Sequence, residues 1–480
     1  MTSVFFILLQ KLPMEDHFDS YFDGETLSLV GRFENMIRED QHLFFDVDEF
    51  QEIIEYYFFK NEQRKAHMTI TQALAQHPGN AGILVRLAQY HVNLSKDREA
   101  LRILREIEHA GQPDSDLYIA KGNLYSQLEK PDKAIEAFKK AVDGAEFPDE
   151  VLSGIAFEYE NMGSYDLAIE FLLKALDFNP DNEAALYEFA FCCEVSQQTN
   201  RCIEFLGTFL DRHPYSAAGW FNLGVAYSNI DLFEKAIEAY DYVLAIDETY
   251  SSAYFNKANC YANIENHEKA IETYTETFYY EDAEPVTHYY IAECYEKLRK
   301  FESAIEYYHK AVSLDPEFAD AWLGLGVCHD ELGKQQSALP FIQKAIRITP
   351  TIPDYWFILG DVQIKLSLIE DGISSYRKVI ELDPDDPDIW LDLSVVYADR
   401  HDYEMGFAVL GEGLKFHGEN ADFHFGMAWY LFMMGRSQQA NEMMIKALEM
   451  DADGHKRLFT TFPEAGRHDQ VLDAIASFRK

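Results

Sequence analysis

Residues 217–250 read AAGWFNLGVAYSNIDLFEKAIEAYDYVLAIDETY, and this stretch decides the fold. Trp220, Leu223, Gly224 and Tyr227 are spaced three or four residues apart, and so are Ala236, Tyr240 and Val243. Each set falls on one face of an α-helix. The spacing predicts two amphipathic helices, with a small residue on each where they touch and large ones around the contact.

The same pattern recurs every 34 residues. In this register the chain holds twelve consecutive units from Val47 to Gly454, with no insertion. Position 20 of each unit is small throughout, as at Ala66, Ala100, Cys202, Gly372 and Ala440. Position 8 is small in all but the first unit, where Ile54 stands. Position 24 is always large and apolar or aromatic, as at Phe138, Leu172, Tyr240 and Tyr308. Position 4 holds Trp220, Trp322, Trp356 and Trp390. Position 32 is Pro78, Pro180, Pro214, Pro316, Pro350 or Pro384 in six units, where proline ends the second helix. Gly163, Gly333 and Gly435 at position 15 suit the turn between the helices. One such pair cannot bury its apolar face alone, so each must stack on the next. The expected fold is an all-α superhelix, a solenoid of twelve helix-turn-helix units.

The segments Trp220-x2-Leu223-Gly224-x2-Tyr227, with Ala236 and Tyr240, and Trp322-x2-Leu325-Gly326 resemble the tetratricopeptide repeat (TPR) family. The resemblance covers residues 47–454. It implies a right-handed superhelix whose first helices line a concave groove, and a groove that binds extended peptides or helices of partner proteins.

Three segments follow. Residues 1–46 form an N-terminal arm with a capping helix on Leu27, Val30, Phe33 and Ile37. Within it, a native start at Met14, leaving 1–13 outside the natural protein, is an alternative to Met1, and 15–25 read as an acidic mobile arm. Residues 47–454 are the repeats. Residues 455–480 are a truncated capping pair, with Val471, Ile475 and Phe478 turned inward.

The chain has 41 Lys and Arg against 83 Asp and Glu, a formal charge of −42. That balance opposes binding to nucleic acid or to an anionic membrane surface. No apolar run reaches the length of a membrane-spanning helix. The expected location is cytoplasmic. Cys260, Cys294 and Cys328 share position 10, one repeat apart, as does Cys192 two repeats earlier, so they read as soft packing residues and not as metal ligands. No phosphate loop, dinucleotide fingerprint, zinc-helix motif or nucleophile elbow is present. The expectation is a non-enzymatic chain with no cofactor, no metal site and no small-molecule substrate.

The family resemblance places positions 2, 5, 6, 9, 12 and 13 on the concave surface. Nineteen acids and three bases (Arg86, Lys297 and Lys365) fall there, a balance of −16 and more than twice the mean charge density of the chain. Such a surface concentrates a basic ligand. Residues 217–284 carry no acid at these positions. They offer Phe221, Asn222, Phe255, Asn256 and Asn259, and Tyr187 and Tyr289 extend the aromatic row. Asparagine amides can pair with any peptide backbone, and aromatics supply contact area; packing between neighbouring repeats is the alternative role for Phe221 and Phe255. Asp320, Asp354, Asp388 and Asp422 recur at position 2, either as partner contacts or as acids favoured in a first helical turn. The expected function is a scaffold or adaptor that holds a basic or polar protein or peptide in an acidic groove. A regulatory or assembly subunit of an enzyme on another chain, and a self-associating assembly factor, are the alternatives.

Overall fold

The computed structural model of the chain describes residues 24–39, 41–110 and 114–478. Residues 1–23, with both candidate start sites and most of the mobile arm expected over 15–25, lie outside them, whereas Gly24 and Glu25 of that arm open a helix, Gly24–Arg38. The described residues form helices, and the chain divides into two compact units, Met1–Glu248 and Thr249–Lys480.

The repeat register is the helix register. First helices in the first unit are Val47–Phe59, Ala81–Asn93, Ser115–Gln127, Pro148–Asn161, Glu183–Val195 and Ala217–Ser228. In the second they are Ser251–Asn263, Pro285–Lys297, Ala319–Glu331, Pro353–Lys365, Pro387–Asp399 and Ala421–Met433. All but Pro148–Asn161, which starts one residue early, begin at position 1. Every second helix begins at position 17, from Gln63–Gln76 to Ser437–Met450. The chain is an all-α solenoid of such pairs.

Local chemistry sets these boundaries. Position 34 precedes each first helix, and Asp46, Asn80, Asp114, Asn182, Ser216, Asp386 and Asn420 there cap it by accepting a backbone N–H from its first turn. Position 15 closes the first helix in a left-handed conformation in all twelve repeats. Nine of these residues are not glycine, from Asn61 (φ 55°) to His401 (φ 59°). The hydrogen bonds are those of a Schellman turn: the Gly163 N–H donates to Glu160 O and the Ser164 N–H to Tyr159 O, both at 2.8 Å.

Packing follows the small–large rule. A Cβ added at Gly224 would lie 2.6 Å from the Tyr240 ring, and one at Gly360 2.5 Å from Tyr376. Position 8 must therefore stay small wherever position 24 carries a ring. The position-4 tryptophans tie one repeat to the turn before it. The indole N–H groups of Trp220, Trp322 and Trp356 donate at 2.9 Å, and that of Trp390 at 3.1 Å, to the carbonyls of Pro214, Pro316, Pro350 and Pro384.

Within each unit the end carries an added helix. Gly24–Arg38 buries Val30, Phe33 and Met36 against Phe50, Ile53 and Ile54. Beyond the last repeat, His455–Thr461 and Asp469–Phe478 pack on Ala421–Met433 and Ser437–Met450, with Val471 and Ile475 buried and Phe478 half-buried. All six cysteines are free and buried.

Candidate functional site

The expected partner-contact residues fall in both units, and each unit is described by itself. In the first, the Tyr187 and Phe221 rings meet edge-on at 6.2 Å, and Phe221 leans on Tyr240 at 5.8 Å. Asn222 is buried, and its amide donates to Ala218 O of its own helix at 2.9 Å. In the second unit, Phe255 packs on Tyr274 and Tyr290 at 5.5 and 5.8 Å. Asn259 accepts the Tyr274 hydroxyl, and Asn256 is half-buried. The Tyr289 hydroxyl donates to Glu293 at 2.8 Å, with its ring 5.0 Å from Phe318. These aromatics all take part in packing between helices.

The aspartate line divides in two. Asp320 accepts the Tyr355 hydroxyl, and Asp422 takes Arg457 Nε at 2.9 Å. Arg457 belongs to the terminal helices, so the chain itself fills that place. Asp354 and Asp388 are exposed. All four stand in a first helical turn, where the helix dipole favours an acid.

A further concavity lies elsewhere on the concave register, within the first unit. It is a cleft of about 700 Å³ between Asn123 and Glu188, a size that accommodates a ligand. Its walls come from positions 9 and 12 of the repeat at 115, positions 2, 5, 6, 9 and 12 of the repeat at 149, and positions 2 and 6 of the repeat at 183. Glu150, Glu160 and Glu188 line it, as do Asp149, Glu158, Asp181 and Glu183. None of the described lining residues is basic. The apolar part is Phe138, Phe157, Ala156 and Leu172.

Its carboxylates are unevenly satisfied. Asp149 is buried but accepts the Asn179 and Asn182 amides, both at 2.9 Å. Glu158 is 2 % exposed, and its Oε1 has no hydrogen-bond partner. Burial pushes the Glu158 carboxyl up, and a hydrogen bond with Ser126 offsets part of that rise. Burial, with the adjacent Glu188 charge, pushes Glu160 up to about 8. Burial also raises Glu188, partly offset by its hydrogen bond with Glu160. Burial and their mutual approach thus favour one proton shared within the Glu160–Glu188 pair. The same two acids, after burial itself, push the buried Cys192 thiol up to about 12.

Glu150, Glu160 and Glu188 were legible as groove acids. Glu158 and Phe157 were missed as site residues. Glu158 stands at position 10, which faces the core and lies outside the groove positions. The signal was there: the other eleven residues at position 10 are apolar, aromatic or cysteine, among them Leu124, Cys192, Ala226 and Val362.

A second cleft, of about 430 Å³, lies in the second unit among Asn259, Asn263, Tyr274, Tyr290, Glu293, Cys294 and Lys297. Of the expected contact residues it contains Asn259. Glu293 is raised chiefly by burial, which the Tyr289 hydroxyl partly offsets. Among the described residues no cluster of His, Cys, Asp and Glu is arranged to hold a metal ion. No described helix is long and apolar enough to cross a membrane.

One family profile described as a tetratricopeptide repeat matches residues 292–353. A second of the same description matches 115–143, 150–182, 217–250, 251–280 and 353–386. No curated protein matches. Among solved structures, the C-terminal part of a TPR protein from Cytophaga hutchinsonii is similar at 18% identity, covering 53% of this chain and 99% of that one, with a TM-score of 0.45. The Cut9–Hcn1 hetero-tetramer of APC/C is similar at 15% identity over 80% of this chain and 90% of that one, TM-score 0.39. YrrB, a TPR protein with an unusual peptide-binding site, is similar at 20% identity over 38% and 94%, TM-score 0.33. The helix register, the small–large contacts and the two profiles together show that the chain is a member of the tetratricopeptide repeat family.

Proposed function

We propose that the chain is a non-enzymatic interaction scaffold that holds a basic or polar segment of a partner protein against the acidic concave faces of its repeats. The observation that carries this reading is the cleft between Asn123 and Glu188, lined by seven carboxylates and no described base. A cleft of one sign with apolar walls focuses its field on a cationic ligand. The exposed Asp354 and Asp388 extend the same sign in the second unit. The six free thiols fit a reducing compartment such as the cytoplasm.

The test is affinity purification on the full chain, washed with and without about 0.5 M salt, which screens exposed charge pairing. The expected partner is basic and is released by salt. Partners that are acidic, or that survive charge reversal of both Asp354→Lys and Asp388→Lys and of the cleft acids, would overturn the reading.

A further inference from the structure

Position 10 of the repeat is a core slot, and Glu158 is the one carboxylic acid in it. A carboxylate placed among Leu124-, Cys192- and Val362-type neighbours loses hydration and needs donors in return. Ser126 supplies one, and Oε1 receives none. The neighbouring acids meet the same shortage. Position 24 of Glu160's repeat is Leu172, where Tyr308 of another repeat donates to the position-12 acid Glu296, so no phenol comes to Glu160 from that place. Its partner is instead a second acid, Glu188.

The cleft also contains a plate. Phe157 precedes Glu158 in sequence, lines the same cleft and is 41 % exposed, although it is a large apolar side chain. A buried acceptor without a donor, a pair of acids sharing one proton, and an open aromatic face call for one kind of guest. It is a planar cation with several N–H donors and weak hydration, able to stack on a ring while it pairs with carboxylates. An ammonium ion has the charge but neither the plane nor the fork, and it keeps its water more tightly.

We propose that the cleft between Asn123 and Glu188 takes the guanidinium of an arginine side chain from a partner peptide, with Glu158, Glu160 and Glu188 as acceptors and Phe157 as the stacking face. This deepens the proposed function and rests on its groove-binding reading.

Calorimetric titration of the full chain tests it, with the capped peptide Gly-Gly-Arg-Gly-Gly and its lysine and citrulline counterparts as probes. The arginine peptide is expected to saturate below about 10 mM, the lysine peptide to bind about tenfold more weakly, and the neutral citrulline peptide not to bind. Glu158→Gln and Glu188→Gln, which keep the side-chain shape, are each expected to weaken arginine binding about tenfold, or about 1.4 kcal/mol. Gly154→Tyr, which fills the cleft, is expected to abolish it. No saturation by the arginine peptide overturns the proposal, as does citrulline or lysine binding equal to arginine, or arginine binding unchanged in Glu158→Gln and Glu188→Gln. Far-ultraviolet circular dichroism confirms that each variant folds. A purified partner released by Asp354→Lys with Asp388→Lys, but not by Glu158→Gln with Glu160→Gln, would sink this inference while leaving the scaffold reading intact. A partner indifferent to both pairs would sink both.

Discussion

The cleft between Asn123 and Glu188 and the cleft between Asn259 and Lys297 are built from the same slots of the repeat, four repeats apart. Asn123 corresponds to Asn259, Phe138 to Tyr274, Ser126 to Ala262, Gly154 to Tyr290, Phe157 to Glu293 and Glu158 to Cys294. Each substitution has a readable effect. Gly154 leaves open the space that the Tyr290 ring fills, in keeping with volumes of about 700 and 430 Å³. Glu160 and Glu296 occupy the same slot, but Glu296 accepts the Tyr308 hydroxyl at 2.9 Å, whereas the repeat of Glu160 has Leu172 in the place of that tyrosine. Glu188 corresponds to Gly324, and a Cβ at Gly324 would lie 2.3 Å from the Tyr308 ring. The second unit thus satisfies its inward acid from within, through a tyrosine that requires a glycine opposite it. The first unit has a leucine and an acid in those two places, and Glu160 pairs with that acid, Glu188, in place of a phenol. The clefts differ in charge, with seven carboxylates lining the first against Glu293 and Lys297 in the second, and they differ again in the supply of donors to their inward acids.

Exchanging the contents of position 10 tests that separation most severely. Cys294 is 3 % exposed, so Cys294→Glu puts a carboxylate into a buried slot beside Glu293, with Ala262 standing where the first cleft has Ser126. It should destabilise the second unit by about 3–5 kcal/mol, read from urea unfolding or from hydrogen exchange in helix Pro285–Lys297. The reverse exchange, Glu158→Leu, restores an apolar side chain like Leu124 and should stabilise the first unit by about 1–3 kcal/mol while destroying arginine binding. If Glu158→Leu lowers stability, the carboxylate is paired inside the protein, and the contrast between the clefts fails.

The pH dependence gives a smaller effect with a definite sign. Because Glu160 is raised to about 8, the folded chain keeps a proton there that the unfolded chain releases near the ordinary carboxylate value. Between those two limits the folded state binds more protons, so stability is full below them and falls as pH rises to about 8. Glu160→Gln cannot ionise and should remove about 1–2 kcal/mol of that fall, after discounting for the partial exposure of the pair. Asp392 in the second unit, raised to about 6 mainly by burial and then by Asp361, Asp388 and Asp386, adds a fall of its own at lower pH. The difference between wild type and Glu160→Gln, measured as urea midpoints from pH 5 to pH 9, isolates the first cleft. An unchanged slope would mean that Glu160 ionises normally.

The repeat and its boundaries were legible because they are set by neighbours in sequence. Asn80 and Ser216 cap the helices that follow them, Pro78 and Pro214 end the helices before them, and Ala236 and Gly224 space the pair. The arrangement of acids into satisfied and unsatisfied was not legible from a count, because it depends on residues that the turn between helices brings together. Tyr274 reaches Asn259 and Tyr376 reaches Asp361, both from position 24 to position 9, whereas Tyr308 reaches position 12. Reading position 24 against positions 9 and 12 within each repeat would have marked Leu172 and Glu160 as a mismatch. The position-2 aspartates could not be sorted the same way. Asp422 is answered by Arg457 from beyond the last repeat, where the 34-residue register has lapsed.

The same four-repeat correspondence extends to the turn behind each cleft, where Gly163 matches Arg299, with φ 69° and 55°. An L-residue in that conformation costs about 1–2 kcal/mol per position, and glycine none. Nothing lies within 4 Å of a Cβ built on Gly163, so Gly163→Ala should reveal this backbone term alone, as a loss of about 1 kcal/mol. Arg299→Gly should recover a similar amount, less the greater freedom of glycine in the unfolded chain. It also removes the exposed pair of Arg299 with Glu331 at 3.3 Å, worth about 0.2–1 kcal/mol, and the contact of Arg299 with the Phe301 ring at 5.4 Å. The two sides nearly cancel, so Arg299→Gly should change stability by less than about 0.5 kcal/mol in low salt. At about 1 M salt, where the ion pair is screened, it should turn measurably stabilising. A variant that is destabilising at both salt concentrations would show that the arginine contributes more through the Phe301 ring than its backbone conformation costs. The non-glycine turns would then stabilise the second unit by means that the glycine turn behind the first cleft lacks.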